Sequence, residues 1–387
     1  MKHNNKPIRL IELFAGIGSQ AKALENLEVN FEHYKVVEFD KYAISSYNAI
    51  HGTDFETSDI TQICGNDLNI EKTDEYDYLM TYSFPCQDLS IAGSQKGMSK
   101  GGNTRSGLLW QVERLLNESF ELPQMLLMEN VPQVISKKNI GDFTEWQKFL
   151  EAKGYTNYLE ILNSKDYGIP QNRKRCFMVS ILNDNRGFEF PKPFQLEKKI
   201  SDILEDNVDD SYYVDTPESV RIGDMLRIKQ ATKQGFIDCP IGGVADFSYP
   251  NSETRRGRVQ GGGMISPTIT ATTTNVCKIE NCNDINVRHT ELPCILDYRD
   301  KGYGVKTSDI CPTQRAARSG IKAIEKNYRI RRLAPLECWK LMGFDESDYN
   351  KAATCNSKTQ LYKQAGNSIV VDVLENIFRK LVLSEVS

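Results

Sequence analysis

Apolar and polar positions along this chain fall into two textures. Over residues 8–180, short apolar runs recur between amphipathic stretches. Ile8–Phe14, Tyr34–Phe39, Tyr78–Tyr82, Met125–Met128 and Arg175–Ile181 read as strands, while Ser19–Asn26, Lys41–His51, Ser106–Leu116 and Asp142–Lys153 read as helices. That alternation predicts an α/β fold built on a doubly wound, Rossmann-like sheet. From about Leu182 to Lys326 the strand-like runs shorten and are broken by Gly, Pro, Asn and Asp, which predicts a smaller, mostly β and irregular domain. Within it, residues 265–271 (ISPTITA) and 309–317 (DICPTQRAA) look like two weak copies of one turn-strand pattern. Residues 331–344 and 366–382 return to helical spacing, with Ile369, Val373 and Ile377 in phase, and are expected to rejoin the first domain. The expected division is 1–184 with 329–387 against 185–328, consistent with a 387-residue chain exceeding the usual size of one core.

Composition narrows the setting. Hydrophobic residues make up 40% and charged residues 26%, and no apolar run approaches the roughly 20 residues of a membrane helix, so no membrane partner is expected. The polar leader before Ile8 lacks the regions of a signal peptide, which points to the cytoplasm. Ten cysteines without a CxxC pair, and four scattered histidines, read as a reducing compartment with no metal site. A net charge of -4 argues against indiscriminate coating of nucleic acid, but basic residues are unevenly placed. Residues 251–278 hold Arg255, Arg256, Arg258 and Lys278 against Glu253 alone, and residues 314–332 hold seven basic side chains against Glu325. That asymmetry is the one expected of a nucleic-acid-facing surface.

Candidate chemistry sits where strands end. LFAGIGSQ (13–20) places a Gly-rich turn between a strand and a helix, where a ligand can approach the backbone, and Glu38 follows at a strand end where a carboxylate could hold ribose hydroxyls. Taken alone, this segment also fits a nicotinamide-dependent dehydrogenase. LMTYSFPCQDLS (79–90) carries a strand into Pro85 and Cys86. A lone cysteine is commonly inert core, but residues 88–107 contain five glycines and three basic residues, Lys96, Lys100 and Arg105, and read as a cationic lid beside a thiol. MLLMENVP (125–132) ends a further strand on Glu129, either a helix cap or a reacting carboxylate. Arg173 and Arg175 in DYGIPQNRKRCFMVS (166–180) are spaced to share one strand face, and an inward pair of arginines needs an anion opposite.

FAGIG, PCQ, ENV, QNRKR, RRLAPLE and GNSIV occur in this order, and in them the chain resembles the bacterial and phage DNA cytosine-5 methyltransferases of the HhaI and SssI type. The resemblance covers residues 8–182 and 329–382 well and the segment between them poorly. It implies an S-adenosylmethionine-dependent methyltransferase domain joined to a target-recognition domain, acting as a monomer on double-stranded DNA, with or without a cognate restriction endonuclease. Cys86 would be the covalent nucleophile, Glu129 the group at ring nitrogen 3, Asn130 its brace, Arg173 a contact to the ring oxygen or the Cys86 region and Arg175 the residue that orients Glu129. The cofactor would be held by Phe14, Gly16, Gly18, Glu38, Phe39, Asp59, Ile60, Pro85, Asn367, Ser368 and Ile369, with Phe39 and Ile60 flanking the adenine. Two departures stand out: Ser58 where many relatives have glycine, and Leu89 where an aromatic is usual.

On the same resemblance, Thr268 and Ile269 match a recognition-loop dipeptide. Arg255, Arg256 and Arg258 are candidate readers of guanine edges, and Lys96 and Arg105 are candidate DNA contacts from the lid. A dehydrogenase leaves PCQ, ENV and the arginine pair without a role. A transfer-RNA cytosine methyltransferase shares the catalytic motifs but tends to a shorter recognition region.

Overall fold

A computed structural model describes residues 6–89, 97–102, 104–214, 219–222, 225–249, 252–271, 276–281, 294–299, 302–305, 321–324 and 328–383. The chain divides into two units, Met1–Leu204 with Thr268–Thr274 and Ala334–Ser387, and Glu205–Pro267 with Asn275–Leu333. The divisions expected after residues 184 and 328 therefore fall later, and residues 268–274 depart from the expected second domain. The reason is hydrogen bonding: residues 268 and 269 are bound to the segment around Asn172 and Arg173.

The first unit is an α/β layer structure. Six strands, β1 (Ile8–Leu13), β2 (Phe31–Val37), β3 (Asp77–Tyr82), β4 (Met125–Asn130), β5 (Tyr155–Asn163) and β6 (Lys174–Leu182), form one sheet in the order β2-β1-β3-β4-β6-β5. β1 pairs in parallel with β2 and β3, and β3 with β4, whereas β6 runs antiparallel to both β4 and β5. The order reverses at β1, so the loops after β1 and β3 open on the same edge, the position where open α/β sheets hold ligands. Burial explains what was legible. β1, β3 and β4 are flanked on both sides and are buried at nearly every position, so they read as apolar runs. The edge strand β5 exposes several residues and carries no such run, which is why the apolar pattern misses it.

Helices α1 (Ser19–Asn26), α2 (Lys41–His51), α3 (Leu109–Glu118) and α4 (Ile140–Ala152) link the strands. The Asp40 side chain caps α2 by accepting from the backbone N–H of Tyr42 (3.0 Å). The C-terminal residues form α5 (Pro335–Lys340), α6 (Glu346–Ala353), α7 (Lys358–Asn367) and α8 (Val371–Leu381). α8 buries Val371, Val373, Leu374, Ile377 and Phe378 and packs on α1. Ile369, expected in phase with this helix, precedes it, though it too is buried. No helix among the described residues is long and apolar enough to cross a membrane.

The second unit is built from short antiparallel strands, including β7 (Met225–Lys229) with β8 (Phe236–Pro240), and β9 (Val244–Asp246) with β10 (Val276–Asn281). Leu226, Ile228, Cys239, Ala245, Phe247, Val259, Cys277, Ile279 and Ile330 make its core. Arg258 is a member of that interior, not a base reader. It is 1% exposed, and its guanidinium donates to the carbonyl oxygens of Asp246 (2.9 Å), Ser248 (2.7 Å) and Tyr249 (2.7 Å). Arg255 is paired with Asp246, and the exposed Arg256 donates to the carbonyl of Ala231 (2.8 Å). Arg258→Ala takes the donor from one buried and two partly buried carbonyls, and we expect it to lower stability by about 2 kcal/mol, seen as a lower urea midpoint at unchanged m. A side chain that reads bases leaves the midpoint nearly unmoved and alters the target instead. The second PTITA-like copy, residues 309–317, lies outside the described residues.

Candidate active site

Cys86, Glu129 and the two arginines are brought together in the first unit by the strand ends. Cys86 follows β3 in the segment Ser83-Phe84-Pro85, and Glu129 lies at the end of the neighbouring β4. Arg175 is in the first turn of pleat of β6, and its Nε lies 3.0 Å from Glu129 Oε1. Arg173, one residue before β6 begins, acts together with Arg175 on both Cys86 and Glu129. It enters from the loop, where its backbone N–H donates to Asn163 Oδ1 (3.0 Å).

Arg173 is a buried strut. Its Nη1 donates to the carbonyl of Ile269 (3.0 Å) and its Nη2 to those of Gly366 (3.0 Å) and Ser368 (2.8 Å). Burial, with help from Arg175 and against Glu129, pushes its guanidinium down to about 9. Thr268 reinforces the same junction by donating from Oγ1 to the carbonyl of Asn172 (2.6 Å). A side chain at Gly366 would come 2.3 Å from the backbone nitrogen of Ala271, so only glycine admits this close approach. Ile269 is 1% exposed. Thr268 and Ile269 thus face the first unit's own backbone rather than presenting a reading surface.

The electrostatics of the centre are mutual. Burial pushes the Cys86 thiol up, and the Glu129 carboxylate pushes it further, while Arg175 and Arg173 oppose both. Burial likewise raises the Glu129 carboxyl, against the pull of Arg175 and Arg173. The two acids therefore sit in one field in which ionising either hinders the other. Asn130 does not brace Glu129: its Nδ2 donates to the carbonyl of Phe84 (2.9 Å), two residues before Cys86, and fixes the path of the nucleophile's segment. Asp88 does the same from the other side, accepting at Oδ2 from the backbone N–H of Arg105 (2.7 Å) and Ser106 (3.2 Å), while Ser106 Oγ donates to the carbonyl of Pro85 (2.6 Å). Neither Asp88 nor Ser106 stands out in sequence, because each acts through backbone groups distant along the chain.

In the segment read as a lid, Lys100 Nζ pairs with Glu113 Oε1 (2.6 Å), and the exposed Arg105 donates to Gln87 Oε1 (2.6 Å). Lys96 lies outside the described residues. Leu89, in place of the usual aromatic, is buried in the main core.

The Gly-rich turn lies at the end of β1. Phe14, Gly16 and Gly18 all adopt positive φ, at 59°, 59° and 80°. Glu38, after β2, binds this turn directly: its Oε2 accepts from Gly16 N–H (3.0 Å) and its Oε1 from Asp40 N–H (2.9 Å). Both carboxylate oxygens retain acceptor capacity, as a ribose diol requires. Phe39 leaves 73% of its surface open, an apolar face for a flat heterocycle. Ile60, the other expected flank of the adenine, is 4% exposed and packs in the core. Exposed Asp59 uses Oδ1 to accept from the N–H and Oγ1 of Thr61, both at 2.9 Å. Asn367 is exposed at the end of α7, with Ser368 and Ile369 buried beside it.

Comparison with known proteins gives one family. A family model described as C-5 cytosine-specific DNA methylase matches residues 8–383. The chain is 31% identical to the type II methyltransferase M2.ScrFI of Lactococcus lactis subsp. cremoris, over 98% of this chain and 100% of that protein. It is 30% identical to the orphan methyltransferase M.SssI of Spiroplasma monobiae, over 98% of this chain and 99% of that protein. Among solved structures, Entamoeba histolytica methyltransferase EhMeth matches with a TM-score of 0.63 at 19% identity, over 98% of this chain and 100% of that one, which supports the fold.

Proposed function

The chain belongs to the C-5 cytosine-specific DNA methylase family, and from that premise we propose that it methylates carbon 5 of a flipped-out cytosine through a covalent adduct with Cys86, using S-adenosylmethionine. The observation that carries this reading is the placement of Cys86 and Glu129 at adjacent strand ends, with Arg175 on the carboxylate.

Carbon 5 of cytosine is a poor nucleophile because its ring is aromatic and electron-deficient. Addition of Cys86 Sγ at carbon 6 breaks the aromaticity and leaves an enamine with electron density at carbon 5. Negative charge develops on the ring, and Glu129, in its protonated form, donates to ring nitrogen 3. Arg175 holds that carboxyl group in place, and Arg173 holds the segment 268–271 and the end of α7 around it. When bound, S-adenosylmethionine supplies an electrophilic methyl group for carbon 5. Loss of the carbon 5 proton to water then returns the electron pair to the ring and expels Cys86 Sγ.

Phe14, Gly16, Gly18, Glu38, Phe39, Asp59, Pro85, Asn367, Ser368 and Ile369 are the residues that would hold the cofactor. Glu38 fits its ribose and Phe39 its adenine, since one has two carboxylate oxygens at the turn and the other an open ring face. Recognition of the DNA sequence falls to the second unit, and the relatives named type II and orphan methyltransferases allow action with or without a cognate endonuclease. The enzyme is proposed to work as a cytoplasmic monomer.

Bisulfite sequencing of plasmid DNA incubated with the protein and S-adenosylmethionine tests the reading. Protected cytosines confined to one short sequence are expected. No protected cytosine, from protein that still binds the cofactor, overturns it.

A further inference from the structure

A hydrogen-bonded chain away from the reacting centre runs from the interior of the first sheet to the Gly-rich turn. Glu12 of β1 is fully buried, and its Oε2 accepts from the hydroxyl of Tyr47 on α2 (2.6 Å). That hydroxyl lies 2.8 Å from His33 Nδ1 on β2, and His33 Nε2 lies 3.6 Å from Glu25 Oε1 on α1. The same Glu25 oxygen is 2.6 Å from Nδ1 of His51, at the end of α2, and His51 Nε2 is 3.2 Å from the carbonyl oxygen of Ile17. The His51 side chain is fully buried.

His51 ties α1 and α2 to the turn. A carbonyl oxygen only accepts, so Nε2 is the donor to Ile17. Burial works against the charge on Glu25, but hydrogen bonds from His33 and His51 and the nearby Lys22 hold its carboxyl down to about 2. Ile17 lies between Gly16 and Gly18 in the turn that meets the cofactor. A Cβ on Gly18 would come 2.3 Å from His51 Nε2, so the glycine is what lets the ring reach the turn.

We propose that His51 is a positioning residue, a buried side chain clamped between Glu25 and the Ile17 carbonyl that holds the Gly-rich turn in its cofactor-receiving shape. This rests on the reading of that turn as the S-adenosylmethionine site. Glu25, His33 and His51 also bring three ligand atoms within 4.8 Å of one another. A divalent cation is nevertheless the poorer occupant, because neighbouring ligands about 2.0–2.2 Å from one metal stand roughly 3 Å apart. The 2.6 Å contact between His51 and Glu25 is the length of a charge-assisted hydrogen bond.

Titration calorimetry of the full chain with S-adenosylmethionine, with kcat measured at saturating cofactor and DNA, tests the proposal. His51→Ala is expected to raise Kd about tenfold while kcat changes less than about twofold. Glu25→Gln keeps an acceptor but removes the carboxylate, and is expected to raise Kd about threefold. If circular dichroism shows His51→Ala unfolded, Glu25→Gln carries the test. An unchanged Kd in a folded variant overturns the proposal. Failure of the unmodified protein to bind S-adenosylmethionine overturns the functional reading instead.

Discussion

Cys86→Ala abolishes methylation, with an expected loss on the order of 10⁴-fold or more, while leaving the fold and cofactor affinity intact. The effect is large because no neighbouring group can substitute for the thiol. Glu129 is a far weaker nucleophile and is held by Arg175, and both arginines are cations. Stability should change little, since Cys86 is only partly buried at the edge of the core and loses one sulfur atom. The direct readout is covalent. DNA carrying 5-fluorocytosine at the target offers carbon 6 normally, but fluorine cannot leave carbon 5 as a cation, so the adduct cannot resolve after methyl transfer. The unmodified protein should then migrate with DNA on a denaturing gel, and the alanine variant should not. Methylation surviving in Cys86→Ala would remove covalent catalysis from the mechanism.

Glu129→Gln should lower kcat by about 10²–10⁴-fold, the range for loss of a positioned proton donor. Its pH dependence is more diagnostic than its size. On the proposed mechanism the productive state carries one proton on the pair, as thiolate with carboxylic acid. Burial raises both groups, the Glu129 carboxylate raises Cys86 further, and the two arginines oppose the rise in each. Activity should therefore rise as the pair loses its first proton and fall as it loses its second, giving a bell. Glutamine never ionises, so the falling limb disappears and residual activity should climb with pH to a plateau set by the thiolate. Removing the carboxylate also removes a negative charge that raises Cys86, so the thiol should ionise at lower pH. Iodoacetamide alkylation of Cys86, followed against pH, should shift to lower pH in Glu129→Gln. An unmoved alkylation profile would mean that the two groups do not share a field.

Several misreadings of the sequence have a common cause. Arg258 sits in a basic stretch suited to DNA, yet it donates to three carbonyls within its own unit. Thr268 and Ile269 match a recognition dipeptide, yet one donates to Asn172 and the other accepts from Arg173. Asn130 was expected at Glu129 and instead holds Phe84. The side chains of Arg258, Thr268 and Asn130 are polar and engaged, as the sequence suggests, but with other partners, and the apolar Ile269 takes part through its backbone carbonyl. Charge density along a chain does not distinguish a solvated arginine from one that satisfies buried backbone.

The sequence alone determined the alternation of strands and helices in the first unit, the Gly-rich turn after β1, and the arrival of Cys86 and Glu129 at strand ends. These follow from short-range rules: a two- or 3.6-residue period, glycine's access to positive φ, and burial of central strands on both faces. Tertiary structure decided which residues meet. Arg173 spans to Ile269, Gly366 and Ser368, and His51 reaches across to Glu25 and Ile17, over separations that no local period records. Those contacts exist because buried donors and acceptors must find partners wherever packing brings the chain back on itself.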